Sequence, residues 1–467
     1  MNNAHFFCVY RFFSVPLQAE METICAISTP LGTGGIAVVR VSGPHALALA
    51  DRLFRGRRRL SEVQPNTVCY GRIERDGEQL DDVLCSVFRA PHSFTGEDTV
   101  EIACHGSLYI QQTILQWLID EGCRAARPGE FTQRAFANGK LDLSQAEAVA
   151  DLIAAQSKAE KDLALSQLRG SVSGELALLR ERLLKLTSLI ELELDFADHE
   201  ELEFADRSEL TALAGEIEGK LAALIASFRT GNAIRNGVSV AIVGAPNVGK
   251  STLLNALLGE QRAIVSDIQG TTRDTIEDTL VIDGILFRLI DTAGIRESED
   301  AIEQMGVERT RKAARNAQVV IAVTDKTGAE PVLDFTTSAI VLHVQNKSDL
   351  WLKENHAENN SETPGKPFIC ISAKYGKIEP LKEALLRVAR KQLQPQAVML
   401  SNTRHYEAVY RAHEAIVRVQ QGLNEGLSGE LLSMDLQDCL NALGEVTGQI
   451  TNAEVLQNIF SKFCIGK

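Results

Sequence analysis

The eight residues GAPNVGKS, 244–251, constrain this chain more than any other stretch. They follow the β-branched run VSVAIV and lead into TLLNALLG, whose apolar spacing is helical. A strand that turns through a glycine-rich loop into a helix aims several backbone N–H groups at one point, the positive end of the helix. The spacing Gly-x-x-x-x-Gly-Lys-Ser therefore reads as a phosphate-binding loop. Lys250 would reach the β- and γ-phosphates of a nucleotide, and the Ser251 hydroxyl would bind Mg2+. A glycine-rich turn with no ligand is the bland alternative, and the agreement of strand, loop, lysine and helix argues against it. From 237 to about 390 the runs GVSVAIVGAP, ILFRLIDTAG, AQVVIAVTD, AIVLHVQNKSD and PFICISAK alternate with helical stretches. That alternation predicts a parallel sheet with right-handed crossovers.

Three more motifs follow in order at predicted strand ends. Asp291 opens DTAG (Asp291, Thr292, Ala293, Gly294) and fits the acid that holds Mg2+ through water, while the Gly294 N–H can meet a γ-phosphate. In NKSD (Asn346, Lys347, Ser348, Asp349), the Asp349 carboxylate can accept two hydrogen bonds from the N1 and N2 edge of guanine, a pair of donors adenine lacks. SAK (Ser372, Ala373, Lys374) can offer a backbone N–H to the guanine carbonyl. Each motif alone is weak; four in sequence predict a GTP-hydrolysing domain. Asn247, Val248, Gly249 and Thr252 complete the expected nucleotide contacts of the phosphate loop. Between that loop and DTAG, GTTRDT (270–275) occupies the place of a switch segment that orders around a γ-phosphate, with Thr272 as second hydroxyl ligand of Mg2+. One feature is out of pattern. Many nucleotide hydrolases carry a glutamine after DTAG to aim water, but here Ile295 follows, and it can neither donate nor accept a hydrogen bond.

The chain has 467 residues, enough for two to four domains. No run reaches the eighteen or so apolar residues that span a bilayer. A net charge of −14 argues against nucleic-acid binding through bulk positive charge, though not against a local basic patch. The nine cysteines are scattered and form no CxxC pair, which favours a reducing, cytoplasmic setting over a disulfide scaffold or zinc ribbon. Cys25, Cys69, Cys104 and Cys370 lie in apolar strand-like runs and are expected to be buried. Residues 1–20 are aromatic and faintly signal-like, but Arg11 breaks the apolar stretch; Met21 is the better expected start.

Composition divides the rest. Residues 21–138 mix short strand-like runs (TICAIST, GGIAVVRVSG, DDVLCSVFRA, DTVEIACHG) with one helical segment ending at Gly122, an α+β pattern. Residues 139–232 and 391–467 are rich in Ala, Leu, Glu, Gln and Lys with three- and four-residue apolar spacing. The expected fold class is thus multidomain α/β and α: an α+β N-terminal domain, a discontinuous all-α helical domain, and a P-loop α/β domain inserted at 233–390.

GAPNVGKSTLLNAL, GTTRD, DTAGIRE and Glu303 together resemble the G domain of the MnmE (TrmE) family of tRNA-modification GTPases. TPLGTGGIAVVRVSG, SFTGEDTVEIACHG, ARPGEFTQRAFANGKLDLSQAEAVADLI and the terminal CIGK extend the likeness across the chain from Met21. The resemblance implies an answer to the missing glutamine: a K+ ion beside the phosphates, held by Asn247, Ser266, Ile268 and Thr271, with Asp267, Gln269 and Gly270 in the same nucleotide-contacting segment. A fixed cation can offset γ-phosphate charge as an arginine finger does. Glu303 is implied as the catalytic acid acting through a bridging water; as bare sequence it reads as an ordinary glutamate in a first helical turn. The resemblance further implies that Arg40, Glu101 and Lys140 hold 5,10-methylenetetrahydrofolate or 5-formyltetrahydrofolate, with Cys464 near the folate and Lys467 as a further ligand. By themselves these would read as surface charges, salt-bridge partners and a frayed tail. It implies a homodimer, a heterotetramer with the FAD-containing MnmG, and modification of C5 of the wobble uridine (U34) of certain tRNAs to the aminomethyl or carboxymethylaminomethyl form. A ribosome-assembly or other regulatory GTPase without modification chemistry is the alternative; it should carry a basic RNA-binding domain in place of the segment 21–138.

Overall fold

The computed structural model describes residues 22–195, 207–261, 278–290, 313–325, 339–351, 368–393 and 397–466. The chain divides into two compact units, one formed by 1–150 with 447–467 and the other by 151–446.

In the first unit, strands β1 (Ile24–Ile27), β2 (Gly34–Ser42), β3 (Phe54–Gly56), β4 (Thr67–Arg75), β5 (Glu78–Phe88), β6 (Thr99–Gly106) and β7 (Arg124–Ala125) form one sheet, in the order β3-β4-β5-β6-β2-β1-β7. The pairings are antiparallel except β1 with β7. Period-two alternation decides its faces. Val83, Cys85 and Val87 of β5 point into the core with helices α1 (Ala46–Leu53) and α2 (Leu108–Asp120), while Leu84 between them is exposed. Of these strands, β1, β2, β5 and β6 match the expected runs. Strands β3, β4 and β7 are not predicted by the sequence pattern: β3 and β7 are very short, and β4 dilutes its pattern with Gly71 and two arginines.

Helices α3 (Glu130–Ala137) and α4 (Leu143–Ala154) follow. The end of the chain returns to them. Leu456, Phe460 and Phe463 share a core with Leu143 and Ala146. A Cβ at Gly129 (φ +68°) would lie 2.6 Å from the Phe460 carbonyl oxygen, so only glycine fits that approach. Residues 447–466 pack with the first unit. The physical reason is the apolar face of the helix Ala453–Phe460, whose partners lie on α4.

The second unit holds the helical bundle and the inserted α/β fold. Helices α5 (Lys158–Leu168), α6 (Ser171–Asp195) and α7 (Arg207–Asn236) precede the insert. A capping box starts α5: Ser157 Oγ accepts from the Glu160 N–H at 3.2 Å, and Glu160 accepts from the Gln156 N–H at 2.7 Å. In α6, Leu179, Leu183, Leu186 and Ile190 recur at helical spacing and pack on Leu210, Ile217 and Leu221 of α7. The insert begins with β8 (Val238–Gly244) and α8 (Lys250–Gln261). It continues through β9 (Asp278–Ile282), β10 (Ile285–Leu289), β11 (Val319–Thr324), β12 (Ile340–Gln345), α9 (Ser348–Trp351), β13 (Ile369–Cys370) and α10 (Glu379–Gln392). Strand order is β13-β12-β11-β8-β10-β9. β11 is buried along its whole length and β8 up to its last residue, as expected of strands covered on both faces. Five strands pair in parallel, as predicted; β9 does not. It joins β10 as an antiparallel hairpin across Asp283 and Gly284, whose φ values of +48° and +75° suit a tight primed turn. After the insert, α11 (Thr403–Glu425) and α12 (Gly429–Thr447) close the bundle, with Val409, Ile416, Leu436 and Leu443 in the same core as α6 and α7. Among the described residues no helix is long and apolar enough to cross a membrane.

Candidate functional site

The parallel strands deliver their following loops to one edge of the sheet, where open α/β folds bind ligands. Gly244 ends β8, and the loop that follows is tightly shaped. Asn247 has φ +63° and Gly249 φ +94°. A Cβ on Gly249 would stand 2.4 Å from Asn346 Nδ2, so the NKSD segment leaves no room for any other residue there.

Asn346 is 3% exposed and ties three loops together. Its Nδ2 donates to the Val248 carbonyl at 2.9 Å, and its Oδ1 accepts from the Ala373 N–H at 3.0 Å. The side chain expected to contact nucleotide joins the phosphate loop to the SAK turn. Lys347 adds a second tie: Nζ donates to the Asn247 carbonyl at 2.7 Å and pairs with Asp325 at 3.0 Å. Asp325 follows β11 and was not foreseen, although AVTD at a strand end carries an acid where loops converge. The hydroxyl of Ser372, itself 1% exposed, donates a short hydrogen bond to Asp349 Oδ1. That bond fixes the carboxylate expected to read guanine. Ser348 is buried, with its N–H on the Ile371 carbonyl at 3.0 Å, so it anchors the motif backbone. Lys374 is exposed and lies 5.6 Å from the centroid of Tyr375.

Lys250 opens α8. Its Nζ donates to the carbonyls of Gly244 at 3.0 Å and Ala245 at 2.8 Å. Burial pushes its ammonium group's pKa down from the ordinary lysine value, so an anionic partner at this point would be strongly favoured. Ser251 and Thr252 occupy the exposed side of the first turn of α8. The residues fit a Mg2+-bound nucleotide: a glycine cradle, a desolvated lysine, a hydroxyl at the helix start and a clamped carboxylate. Ser266, Asp267, Ile268, Gln269, Gly270, Thr271 and Thr272 lie outside the described residues, as do Asp291, Thr292, Ala293, Gly294, Ile295, Glu303 and Lys467.

In the first unit, Arg40 of β2 and Glu101 of β6 are direct cross-strand partners. Arg40 Nε and Nη2 both donate to Glu101 Oε1, at 2.9 and 2.7 Å. Among the described residues, Glu101 Oε2 accepts no hydrogen bond, which leaves it able to take a donor from a bound ring. The Arg40 guanidinium also lies 5.6 Å from the Phe94 ring centroid and 5.5 Å from that of Phe131, both missed by sequence reasoning. Lys140 donates through Nζ to the Pro91 carbonyl at 3.0 Å, and its stem packs beside Gly96 (φ +79°). Loop 91–96 therefore meets both Arg40 and Lys140. Cys464 is exposed, and its carbonyl accepts from the Gly129 N–H at 3.4 Å, two residues before Phe131. Gly466 is held at Ile27–Ser28, where Ser28 Oγ donates to its carbonyl at 3.2 Å.

A buried charge network frames this corner. Glu97 takes two 3.1 Å bonds from Arg134 Nη1 and one of 2.8 Å from Ser42 Oγ. Glu130 is 3% exposed. Burial alone would raise its pKa, but the Arg124 guanidinium, the Arg127 N–H and Arg134 outweigh that and hold it at about 2. Cys370, expected to be buried, is exposed at the end of β13, and Cys69 is only partly covered; Cys25 and Cys104 are buried as expected. A cavity of about 270 Å3 lies beside α5 and α7; Arg235 pairs there with Asp151 at 2.7 Å, and Gln167 bonds Ser401 at 2.9 Å.

Residues 23–140 match the family model of the GTP-binding protein TrmE N-terminus, and 143–464 that of the MnmE helical domain. The tRNA modification GTPase MnmE of Parabacteroides distasonis is 55% identical over 463 residues, covering 96% of this chain and 100% of that protein. The protein of the same description from Bacteroides fragilis is 51% identical over 466 residues, with 96% and 100% covered. With matching models over both its N-terminal and helical parts and identity sustained along its length, this chain belongs to the MnmE (TrmE) family of tRNA modification GTPases.

Proposed function

We propose that this chain is a K+-dependent GTPase that, with an FAD-containing MnmG partner, modifies C5 of the wobble uridine of certain tRNAs. The observation that carries the reading is 55% identity to a tRNA modification GTPase across that protein's full length, combined with a phosphate loop tied to a clamped guanine-reading aspartate. Roles divide by chemistry. The N–H groups of Asn247 to Thr252 and the Lys250 ammonium hold the phosphates; Ser251 and Thr272 supply hydroxyls to Mg2+; Asp291 to Gly294 sense the γ-phosphate. Asp349 reads guanine, with Ser372 and Asn346 positioning the loops around it. Asn247, Ser266, Ile268 and Thr271 hold K+, and Glu303 orients water.

The domain division proposed is a folate-binding segment at 21–138, helical segments at 139–232 and 391–467, and a G domain at 233–390. When bound, a tetrahydrofolate derivative supplies the one-carbon unit. Arg40, Glu101 and Lys140 hold it, Glu101 through the acceptor oxygen that Arg40 leaves open, with Cys464 near the folate and Lys467 as a further ligand. The chain works as a cytoplasmic homodimer and in a heterotetramer with MnmG.

Two measurements test this. Turnover of GTP should be much faster in K+ than in Na+, and Glu303→Ala should bind GTP yet lose most turnover; equal rates in the two salts would remove the K+ assignment. Nucleoside analysis of tRNA from a strain lacking the gene should show unmodified wobble uridine, and an unchanged profile would overturn the modification reading.

A further inference from the structure

In a chain of net charge −14, one short stretch is strongly basic: Arg55, Arg57, Arg58 and Arg59 are four of the five residues 55–59. All four are exposed. Arg55 spends its Nη1 on two backbone carbonyls, of Asp51 and Phe54, and not on an acid. Arg57, Arg58 and Arg59 have no side-chain hydrogen bond or ion pair among the described residues. The nearby acid Asp51 does not neutralise them. Its oxygens accept from the Leu60 N–H at 2.6 Å, the Ser61 N–H at 3.1 Å and the Ser61 hydroxyl at 2.6 Å.

Those bonds fix the base of the loop. Leu60 is fully buried immediately after the arginines, and Phe54 is 4% exposed just before them. The Phe54 ring sits against the Gly56–Gly71 pair, where a Cβ on either glycine would come within 2.5 Å of it. A loop pinned at both ends holds its arginines out at little further conformational cost. Beside it, Arg55 is the cross-strand partner of Arg72, so both lie on one face of the sheet. Tyr70, two residues along β4, shares that face and is 69% exposed. Charge at a sheet edge discourages strand addition, but Arg57 to Arg59 lie beyond the end of β3.

We propose that the Arg55–Arg59 loop, with Tyr70, is a docking surface for the phosphodiester backbone of RNA. The proposal rests on the reading that the substrate is a tRNA, and it locates one surface by which that substrate is held. Guanidinium forks match phosphate oxygens two at a time. An exposed aromatic ring offers a stacking platform for an unpaired base. That combination favours RNA over an acidic protein segment, which would need no flat apolar face.

The test uses the full chain, its substrate as an unmodified tRNA transcript, and binding measured by fluorescence anisotropy across a KCl series. The triple change Arg57→Gln, Arg58→Gln, Arg59→Gln should lower the slope of log affinity against log salt by about 2 to 3, since each phosphate contact contributes about 0.7 to 0.9. At low salt the loss should be roughly 10- to 100-fold. The corresponding triple lysine variant should retain the slope. Tyr70→Ala should weaken binding with the slope unchanged. GTP turnover and thermal stability should match wild type in every variant. A glutamine triple with wild-type affinity and slope overturns the proposal. So does loss of poly-L-glutamate binding with tRNA binding intact, which would assign the loop to an acidic protein. A wild-type chain with no saturable tRNA affinity also overturns it, whereas the wobble-uridine reading stands or falls separately on nucleoside analysis.

Discussion

Asn346→Ala should weaken nucleotide binding through the bonds that its side chain makes within the protein. The amide satisfies two groups in a dry environment: the Val248 carbonyl at 2.9 Å and the Ala373 N–H at 3.0 Å. Val248 and Ala373 are each 4% exposed, so water does not replace the lost partner easily. An orphaned buried donor or acceptor costs about 1–3 kcal/mol. Two of them give about 2–6 kcal/mol of destabilisation, concentrated where the phosphate loop meets the SAK turn. With every 1.4 kcal/mol equal to tenfold, the part of that cost borne only by the ordered, nucleotide-bound loops raises Kd, up to roughly thirtyfold for about 2 kcal/mol. Asn346→Asp should be no milder, because its buried carboxylate would face the Val248 carbonyl with no donor between them. Equilibrium titration with a fluorescent GDP analogue at fixed Mg2+ and K+ reads the effect, with circular dichroism as the control for folding. A folded alanine variant binding within about threefold of wild type would refute the tie between the two loops.

Gly249→Ala should act through the same contact, since its Cβ would stand 2.4 Å from Asn346 Nδ2. Its loss of GDP affinity should be strongly non-additive with that of Asn346→Ala in a double-mutant cycle. Glu130→Gln should cost about 3 kcal/mol at neutral pH, from a carboxyl held at about 2 against an ordinary 4.5. Because the folded pKa is the lower one, this stability is complete above about pH 4.5 and is lost as pH falls toward 2; urea unfolding of wild type and variant should therefore converge across that window. In native alkylation at pH 8 with peptide mapping, Cys464 should react first among the described cysteines. Cys104, pushed by burial to about 11, and Cys439, pushed by burial to about 12, should stay unlabelled until urea is added.

Strong periodicity made most of the architecture legible. VSVAIVG and QVVIAVT are runs that suit only strands buried on both faces, and both proved central. The edge strand β9 escaped because its pairing depends on the Asp283–Gly284 turn, a local device that an alternating β–α rhythm hides. Site residues were legible by type but not by role. NKSD predicts a guanine reader, yet nothing in four letters says that Asn346 ties two loops together while Ser372 clamps Asp349. Phe94 and Phe131 were invisible for a related reason: they meet Arg40 from a loop and a helix distant in sequence. Cys370 misled because an apolar run near a chain crossover resembles a buried one, whereas β13 is a two-residue strand at the sheet edge.

The hydrogen bond from Ser28 to Gly466 spans 438 residues of chain. On a ribosome adding roughly 5–20 residues per second, the first strand waits about 20–90 s for the segment that completes its unit. Throughout that interval the apolar surfaces of Leu143 and Ala146 lack Leu456 and Phe460. The whole G domain is made, and can fold, inside the same interval. The first unit is thus the last part of the molecule to be finished although most of its residues are made first, and a stalled or shortened message yields a chain with an intact GTPase fold and an unclosed first unit.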